Sequence, residues 1–447
     1  MAEPLRIALA GLGTVGAGVI RLLEANAVLL ARRAGRELTI TAVSARDRTK
    51  PRGVDIAGYA WEDDMTAMAG RPDVDVVVEL VGGSDGPALT LARRTLGQGK
   101  SLVTANKAMI AHHGAELAAA AEYARVALKF EAAVAGGIPV IKGLREGAAA
   151  NAIERVYGIL NGTCNFILST MESTGRDFAE VLAEAQSRGF AEADPSFDID
   201  GVDAAHKLSI LSSLAFGSRI DFPPVETVGI RRVLAADIAQ AGQLGYCIRL
   251  IGLAETERGE DGRCRLFQRV HPYLVPRGHP LAHVDGATNA VVAEGNFSGR
   301  LLFQGAGAGD GPTASAVVAD LIDIARGTRG TGDVEAPFSI PVAELEQMSP
   351  APSGHRVGKA YIRFIVADRR GVLAEIAAAM RDGGVSIESL IQTGGQAHLG
   401  GADAGEPVLL SIVAHAGPER CVAEALRLLD GSPSLIEQPL VMHILGG

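Results

Sequence analysis

Short apolar runs alternate with amphipathic segments over the amino-terminal part of the chain. Leu5 to Ala10, Leu38 to Val43, Val74 to Leu80 and Ser101 to Val103 are compact enough for buried strands, and helical periodicity fills the stretches between them. Because strands and helices alternate in this way, the pattern predicts an α/β fold with a parallel, doubly wound sheet.

A glycine-rich turn, GLGTVG, follows the first predicted strand and opens a helical segment that continues to about Ala34. Its candidate nucleotide-binding residues are Gly11, Gly13, Thr14, Val15 and Gly16. Glycines permit a tight turn and a close approach of backbone amides to a pyrophosphate, and the helix amino end favours the negative charge. A strand, this turn and a helix in succession predict a Rossmann-type dinucleotide-binding domain.

The second predicted strand ends in the charged loop SARDRTK, residues 44–50. An arginine at this tip accommodates the 2′-phosphate of NADP, whereas a carboxylate binds the ribose of NAD. Arg46 therefore favours NADP, but a shift of one residue to Asp47 would favour NAD. For Arg48 and Lys50, a solvated loop is the simpler interpretation.

The strand at Ser101 to Val103 leads into Asn106 and Lys107. Ligands of such folds sit at the carboxyl ends of the strands, so both residues are candidates for the nucleotide site and Lys107 for an active-site cation. A lysine that flanks a helix start would explain the same position equally well.

The densest charged segment is GFAEADPSFDIDGVDAAHK, residues 189–207. Asp194-Pro195 ends one helix. Asp198 or Asp200 is then placed to cap a new helix that starts near Gly201. The pattern predicts two helices that meet at an acidic turn.

Asp203 and Lys207 stand four residues apart on one face of this new helix. An exposed ion pair at that spacing would stabilise the helix by only about 0.3–0.5 kcal/mol. The continuation LSILSSLAF is almost wholly apolar, which predicts a buried helix and a buried pair. A buried Lys207 can donate a proton to the alkoxide formed when hydride reaches a carbonyl carbon, and Asp203 would keep it charged and aimed.

The remaining chain divides into further regions. We predict a nucleotide domain over residues 1–140 completed by 305–340, a substrate and dimerisation domain of α+β type over 141–304, a linker over 341–358 and a small module over 359–447. The module has the order βαββαβ, with predicted elements ending near Ala367, Asp382, Gln392, His415, Leu429 and Ile444.

Seven motifs occur in order along the chain: GLGTVG, VELVGG, TANKAMIA, FEAAVAGGIP, NGTCNFIL, GFAEADPSFDIDGVDAAHK and GAGAGDGPTASAVVADL. With them the chain resembles homoserine dehydrogenase of the monofunctional bacterial type over essentially its whole length. The module resembles a ferredoxin-like ACT domain, which binds amino acids at subunit contacts. The resemblance implies NAD(P)-dependent, reversible reduction of L-aspartate 4-semialdehyde to L-homoserine in threonine, methionine and isoleucine biosynthesis, feedback control by L-threonine, and a homodimer or homotetramer.

The resemblance also implies roles for individual residues. Lys207 would transfer the proton, with Lys107 and Asp203 beside it. Substrate would be bound by Glu192, Asp198, Gly162, Thr163 and Phe190. The cofactor, NADP with NAD as the alternative, would contact the glycine turn, Arg46, Asn106, Lys107 and Gly307. A monovalent metal cation, sodium, would be held largely by the backbone of Glu131, Val134, Gly136 and Ile138, and the effector by Asp368 and Gly371.

Some positions depart from the family's pattern. Phe190 stands where some members carry tyrosine, and Cys164 where a second threonine is common. In the module, Arg370 replaces a proline and Ser386 an asparagine. With the glycine-rich insert Gly394 to Gly405, these changes leave the effector's identity open, and a module that only dimerises is the alternative.

Bulk properties narrow the function class. A net charge of −10 argues against nucleic acid as a partner. The four cysteines form no CxxC pair, no run approaches the roughly 20 apolar residues of a membrane helix, and the amino terminus lacks a basic signal region. We therefore expect a cytoplasmic enzyme without a membrane partner. His112 and His113 resemble a metal-binding pair only superficially, because adjacent residues on a helix do not face one another; we expect an exposed loop or helix end there instead.

Two other functions stay open at this point. One is another NADP-linked dehydrogenase of the same fold, acting on a different aldehyde or amino acid. The other is a non-enzymatic amino-acid sensor whose Rossmann domain only holds nucleotide. The joint presence of Lys107, Asp203 and Lys207 speaks against the sensor.

Overall fold

The computed structural model describes residues 3–259, 261–327, 335–393 and 407–446. The strands are β1 (Leu5–Ala10), β2 (Leu38–Ser44), β3 (Ala60–Trp61), β4 (Val76–Glu79), β5 (Ser101–Thr104), β6 (Leu128–Lys129), β7 (Ile153–Ile159), β8 (Glu226–Thr227), β9 (Tyr246–Arg258), β10 (Cys264–Pro276), β11 (Thr288–Gly295), β12 (Gly299–Ala306), β13 (Ser349–Pro350), β14 (Val357–Ala367), β15 (Ile387–Thr393), β16 (Pro407–Pro418) and β17 (Leu440–Ile444). The helices are α1 (Thr14–Ala25), α2 (Ala27–Ala34), α3 (Pro87–Gly97), α4 (Lys107–Ala124), α5 (Val140–Lys142), α6 (Gly162–Thr174), α7 (Phe178–Ser187), α8 (Ser196–Ile199), α9 (Val202–Phe216), α10 (Ala235–Gln243), α11 (Asp310–Gly327), α12 (Val372–Asp382) and α13 (Glu419–Arg427).

The first six strands form an all-parallel sheet in the order β3-β2-β1-β4-β5-β6. Helices cover both faces: Ile7 and Leu9 of β1 belong to a core with α1 and α11, whereas Ala8 and Ala10 belong to a core with α3 and α4. The predicted doubly wound parallel sheet is confirmed. Helix α11, which follows β12 in the sequence, returns to pack against α1 in this domain.

The helical segment after the glycine turn is two helices rather than the single one expected. Asn26 leaves the helical conformation at φ −115° and ψ 16°, between α1 and α2. Asparagine competes for backbone hydrogen bonds and so favours helix ends over helix interiors. In the described residues no single helix is long and apolar enough to cross a membrane, and α1 and α2 meet that test only as a pair bent by 85°.

The second sheet has eleven strands and follows the path β12-β11-β7-β9-β10-β17-β14-β16-β15, with β8 and β13 paired to β10. The long hairpin of β9 and β10 forms its centre. Helices α6 and α9 pack against β9, and α9 also packs against β7 and β10. Strand β12 is an edge strand whose exposure alternates, so it lacks an apolar run that a sequence pattern would reveal.

The carboxy-terminal module has the strand order β17-β14-β16-β15 with antiparallel pairing, the ferredoxin-like arrangement expected from its βαββαβ order. Its sheet is continuous with that of the preceding domain, because β17 pairs in parallel with β10. The segment 341–358, expected to be a linker, is packed: Leu345 and Met348 are buried and β13 pairs with β10. The insert from Gly394 to Gly405 lies outside the described residues.

Buried charges fix the module to the rest of the protein. Arg363 on β14 pairs with Asp237 of α10 at 2.6 Å, and both are at most 2% exposed. Arg269 of β10 pairs with Glu419, the first residue of α13, at 2.7 Å. The module is therefore joined to the rest of the protein by strand pairing and by charge-assisted hydrogen bonds.

Candidate active site

Lys207 lies inside the protein, near the middle of α9. It is 8% exposed, because α9 packs against three strands of the second sheet. Its Nζ donates hydrogen bonds to Asp203 Oδ2 and to the Leu160 carbonyl oxygen, each at 2.8 Å. The predicted burial of a carboxylate and a lysine four residues apart is confirmed.

A second lysine reaches the same carboxylate from the first sheet. Lys107 begins α4, directly beyond β5, and its Nζ lies 2.6 Å from Asp203 Oδ1. The ring of Phe197 packs beside this ammonium group, 5.7 Å from Nζ to the ring centre. Asp203 therefore joins a lysine of the nucleotide domain to a lysine of the second domain.

Two lysines share one carboxylate, and this sets the charge on each. Burial favours the neutral acid at Asp203, but the charges of Lys207 and Lys107 outweigh it and hold the pKa of that carboxyl well below its usual range. Burial opposes the charge on Lys107 too, yet the Asp203 charge raises its pKa. At Lys207 burial prevails and lowers the pKa. Lys207 is thus the lysine that releases its proton more readily.

Asn161 is a site residue that the sequence interpretation missed. Its Nδ2 donates to Asp203 Oδ2 at 2.9 Å and to Asp198 Oδ1 at 2.8 Å. Its Oδ1 accepts from the amide of Cys164 and so caps α6. Burial, followed by the nearby Asp203 charge, raises the pKa of Asp198. One sequence feature could have identified Asn161. It stands in the NGT motif where a helix begins, and asparagine is favoured at the amino-terminal cap of a helix.

The turn before α9 differs from the prediction. Gly201, at φ 87°, is the residue that precedes the helix, and no side chain caps it. Asp198 lies within α8 and Asp200 pairs with Arg231, so the expected cap by either aspartate is wrong. A left-handed glycine makes the sharp turn without a side-chain cap.

A cavity of about 570 Å³ opens over the lysine cluster. The predicted site residues that line it are Val15, Lys107, Gly136, Gly162, Thr163, Phe190, Asp198, Asp203, Lys207 and Gly307. Thr163 Oγ1 donates to the Phe190 carbonyl at 2.7 Å, which joins two of the predicted substrate contacts. Glu192 is exposed and is not among the lining residues.

A second cleft, of about 970 Å³, includes Gly11, Gly13 and Arg46 in its lining. Its turn needs glycine at two positions: Gly11 has φ 100°, and a Cβ on Gly16 would lie 2.0 Å from the Gly11 carbonyl oxygen. Thr14 is the first residue of α1. Backbone that only glycine allows, facing a helix amino end, fits the pyrophosphate of a dinucleotide.

Asn106 extends the nucleotide site toward the lysines. Its Oδ1 accepts from the amide of Met109 at 3.0 Å and caps α4, and its Nδ2 donates to the Gly83 carbonyl at 2.7 Å. Together with Val15 it lines a small pocket next to the glycine turn. The structure thus brings Asn106, Val15 and Lys107 together between the two clefts.

Arg46 and Asp47, the alternative cofactor contacts at the tip of β2, differ in their hydrogen bonding. The Asp47 carboxylate folds back and accepts from Thr49 N at 2.8 Å and from Thr49 Oγ1 at 2.7 Å. Arg46 is exposed beside the cleft. Arg52, which the sequence interpretation missed, lines the same cleft and donates to the Leu12 carbonyl at 3.1 Å. Two arginines, Arg46 and Arg52, thus line the cleft near the tip of β2, while the Asp47 carboxylate is engaged by Thr49.

The turn from Glu131 to Ile138 contains the predicted cation ligands. Ala135 and Gly136 both have φ 56°, so the turn is left-handed at two successive residues. Val134 and Gly136 are buried, and in the described part of the chain no amide donates to either carbonyl oxygen. Buried carbonyl groups without donors suit a cation.

The other two predicted cation ligands are already engaged. The Glu131 carbonyl accepts from the Val134 amide at 3.4 Å, and the Glu131 carboxylate accepts from the amides of Ile141 and Lys142, each at 2.9 Å. Burial, with the neighbouring Asp320 charge, raises the pKa of Glu131 to about 7. The Ile138 carbonyl accepts from the Val140 amide at 2.8 Å. Each carbonyl keeps a second lone pair, so these bonds leave room for a cation ligand.

Other predicted positions lie away from this cavity. Asp368 and Gly371 are exposed at the start of α12, where Gly371 has φ 95°. His112 and His113 lie within α4, so the expected loop or helix end is wrong; His112 instead packs edge-on to His206 and Phe222. The described residues contain no group of three or more metal-ligating side chains.

Comparison with known proteins places this geometry in a family. The family model for homoserine dehydrogenase matches residues 139–322, and the model for the homoserine dehydrogenase NAD binding domain matches residues 11–131. A homoserine dehydrogenase of Pseudomonas aeruginosa is 45% identical over 398 residues, which are 87% of this chain and 88% of that protein. The chain belongs to the homoserine dehydrogenase family.

Solved structures agree with the homoserine dehydrogenase assignment. A homoserine dehydrogenase from Thiobacillus denitrificans has a TM-score of 0.90 at 40% identity and covers 99% of this chain and 98% of its own. A hyperthermophilic archaeal homoserine dehydrogenase in complex with NADPH has a TM-score of 0.60 at 27% identity, over 72% of this chain and 98% of its own. The chain is therefore an oxidoreductase with a nicotinamide nucleotide-binding domain.

Proposed function

We propose that Lys207 is the proton donor and acceptor in the reversible reduction of L-aspartate 4-semialdehyde to L-homoserine. The observation that carries this is the buried Lys207 ammonium, held by Asp203 at the base of a cavity that meets the glycine-lined nucleotide cleft. A bound nicotinamide supplies the hydride that the aldehyde carbon receives, or accepts it in reverse. Lys207 donates a proton to the aldehyde oxygen as negative charge develops there, and neutral Lys207 takes that proton back when homoserine is oxidised.

Lys107 and the acidic residues would position the amino-acid part of the substrate. Lys107 Nζ faces the same carboxylate as Lys207 and adds positive charge near the developing alkoxide. Asp198 lines the cavity and suits the α-ammonium group, and Glu192 lies near enough for its charge to act on Lys107. Backbone groups of Gly162 and Thr163, with the Phe190 ring, would close the remaining wall.

NADP-dependent turnover of homoserine by the purified protein tests this function. Absorbance at the wavelength of the reduced nicotinamide should rise when homoserine and NADP⁺ are both present, and should stay constant without either. Turnover of a different amino acid or aldehyde with none of homoserine would reject the proposed substrate.

We further propose that NADP is the preferred cofactor, with Arg46 at its 2′-phosphate. Arg46→Ala should raise KM for NADP⁺ relative to NAD⁺ by about tenfold or more, because a charge-assisted hydrogen bond is lost. Arg32→Ala, an exposed arginine on α2 outside the cleft, is the matched control. Equal changes in KM for the two cofactors would contradict a phosphate contact.

A sodium ion at the turn from Glu131 to Ile138 is a separate proposal, supported by the two buried carbonyl groups without donors. Binding only to the folded state stabilises it, so the melting temperature should rise with NaCl above its value in choline chloride at equal ionic strength. The shift in melting temperature is measured without nucleotide, so that nucleotide binding does not contribute to it. Identical melting curves in the two salts would contradict the site.

We propose that the module binds an amino-acid effector, L-threonine, at the exposed turn of Asp368 and Gly371. We also propose that the protein is a homodimer or a homotetramer. The module's attachment through Arg363 and Arg269 gives a physical connection to the catalytic half. Titration of activity with threonine, beside methionine and isoleucine, separates this role from one in dimerisation only. Activity that no amino acid changes would favour dimerisation.

A further inference from the structure

Asn289 lies at the inner wall of the active-site cavity. It is the second residue of β11 and is 1% exposed. Its Nδ2 donates to the Leu160 carbonyl oxygen at 2.9 Å, and Lys207 Nζ donates to the same oxygen at 2.8 Å. One backbone carbonyl therefore receives both the side-chain amide and the ammonium group.

The Leu160–Asn161 peptide is the point from which both members of the Lys207–Asp203 pair are held. The Leu160 carbonyl accepts from Lys207, and the next residue, Asn161, donates to Asp203. A carbonyl oxygen has two lone pairs, and here each has a donor. Whatever fixes this peptide thus fixes the direction of the lysine and of its carboxylate together.

The surroundings of Asn289 fix its amide in one orientation. A Cβ on Gly307 would lie 2.1 Å from Asn289 Cγ, and one on Gly162 would lie 3.3 Å from its Oδ1, so the amide occupies space that two glycines leave. Turning the amide over would set its oxygen against the Leu160 carbonyl. Among the described residues Asn289 Oδ1 has no partner, so the structure uses this side chain only as a donor to Leu160.

We propose that Asn289 is a positioning residue for proton transfer, which holds the Leu160–Asn161 peptide so that Lys207 faces the substrate oxygen. This inference rests on the proton-transfer role proposed for Lys207. Among the described residues Asn289 makes no hydrogen bond to Lys207 or Asp203 themselves, and it acts through the shared carbonyl. A displaced donor slows the chemical step while leaving ligand contacts elsewhere in the cavity in place.

Asn289→Leu removes the amide donor at similar volume and tests the proposal. It should lower kcat by about tenfold to a hundredfold and leave KM for homoserine and for NADP⁺ nearly unchanged, because the loss is one of orientation. The solvent deuterium isotope effect on kcat should rise, since proton transfer then limits turnover more strongly. A purely structural role would not raise this isotope effect.

Gln268→Leu is the matched control. Gln268 is also buried, donates through its amide to a backbone carbonyl, that of Asp221, at 3.0 Å, and has a side-chain oxygen without a partner among the described residues. It is not among the residues lining the cavity. We expect wild-type kcat and isotope effect in this variant.

Three results would overturn the proposal. The first is a wild-type kcat and isotope effect in Asn289→Leu, and the second is a loss confined to KM. The third is loss of folding in both Asn289→Leu and the smaller Asn289→Ala, which would assign the residue to stability. If Asn289→Leu behaves as wild type while Lys207→Met is inactive, only this inference fails and the proposed function stands.

Discussion

Replacing Lys207 by methionine is expected to lower kcat by about 10²- to 10⁴-fold, the usual contribution of a positioned general acid or base. Methionine keeps most of the length and the apolar contacts of the lysine stem inside α9. Asp203 keeps Lys107 as its ion-pair partner at 2.6 Å, so the fold should survive the change. Steady-state kinetics in both directions, with a melting curve of the same sample, provide the measurement.

The pH dependence of kcat in the wild type shows which protonation state of Lys207 each direction of the reaction needs. Burial lowers the pKa of Lys207, and homoserine oxidation needs its neutral form. The oxidation kcat should therefore rise with pH, with its midpoint below the value of about 10.4 for an exposed lysine, and Lys207→Met should lack this rise. In the direction of aldehyde reduction, which needs the protonated form, kcat should fall through the same range.

Lys100→Met is the control for Lys207→Met. Burial also lowers the pKa of Lys100, and its Nζ donates to the Arg71 carbonyl, but it lies outside the cavity. The control should keep wild-type kcat and pH profile. Near-wild-type turnover in Lys207→Met, or equal losses in both variants, would refute the assigned proton-transfer role.

Asp203→Asn is expected to give the second-largest loss, on the order of 10²-fold in kcat, because misplaced catalytic groups cost about that much. The change removes the only charge that both lysines contact at hydrogen-bond distance within the described residues. Two ammonium groups then repel each other in a buried site, so the pKa values of the lysines fall. The pH profile of homoserine oxidation should move to lower pH, which separates this variant from Lys207→Met.

Asp200→Asn is the control for the charge change at Asp203. Asp200 precedes α9 and pairs with Arg231 near the surface, where an ion pair contributes about 1 kcal/mol or less. It should retain wild-type kcat and an unshifted pH profile. An Asp203→Asn enzyme with the wild-type profile would show that this carboxylate does not set the charge on the lysines.

Local sequence patterns were sufficient for the parts of the fold that depend on near neighbours. The apolar runs and the glycine turn of the nucleotide domain predicted β1, β2, β4 and β5, but not the two-residue strands β3 and β6. Four-residue spacing placed Asp203 and Lys207 on one face. The pairing of β17 with β10 joins distant segments, and no local pattern encodes such a contact. Residues 341–358 were predicted to be a linker for the same reason, because their packing depends on contacts with distant segments.

In the lysine cluster, the charged residues could be predicted from the sequence, whereas two asparagines that hold them in place were missed. Asn161 and Asn289 carry no charge, and each acts by hydrogen bonds to groups that only the fold brings near. Lys107 and Asp203 were both named from sequence, but their direct contact depends on how the first sheet meets α9. Asp198 and Asp200 were expected as caps because the local pattern does not reveal the left-handed Gly201.

Chemical rescue of Lys207→Ala by small primary amines tests the central claim most directly. The deleted side chain leaves space beside Asp203 for ethylamine, which supplies the missing proton-transferring nitrogen. The account predicts that ethylamine restores part of the homoserine oxidation rate in this variant, with saturation, and has no effect on the wild type or on Lys100→Met. Full turnover of Lys207→Ala without amine, or an equal response in the control, would contradict it.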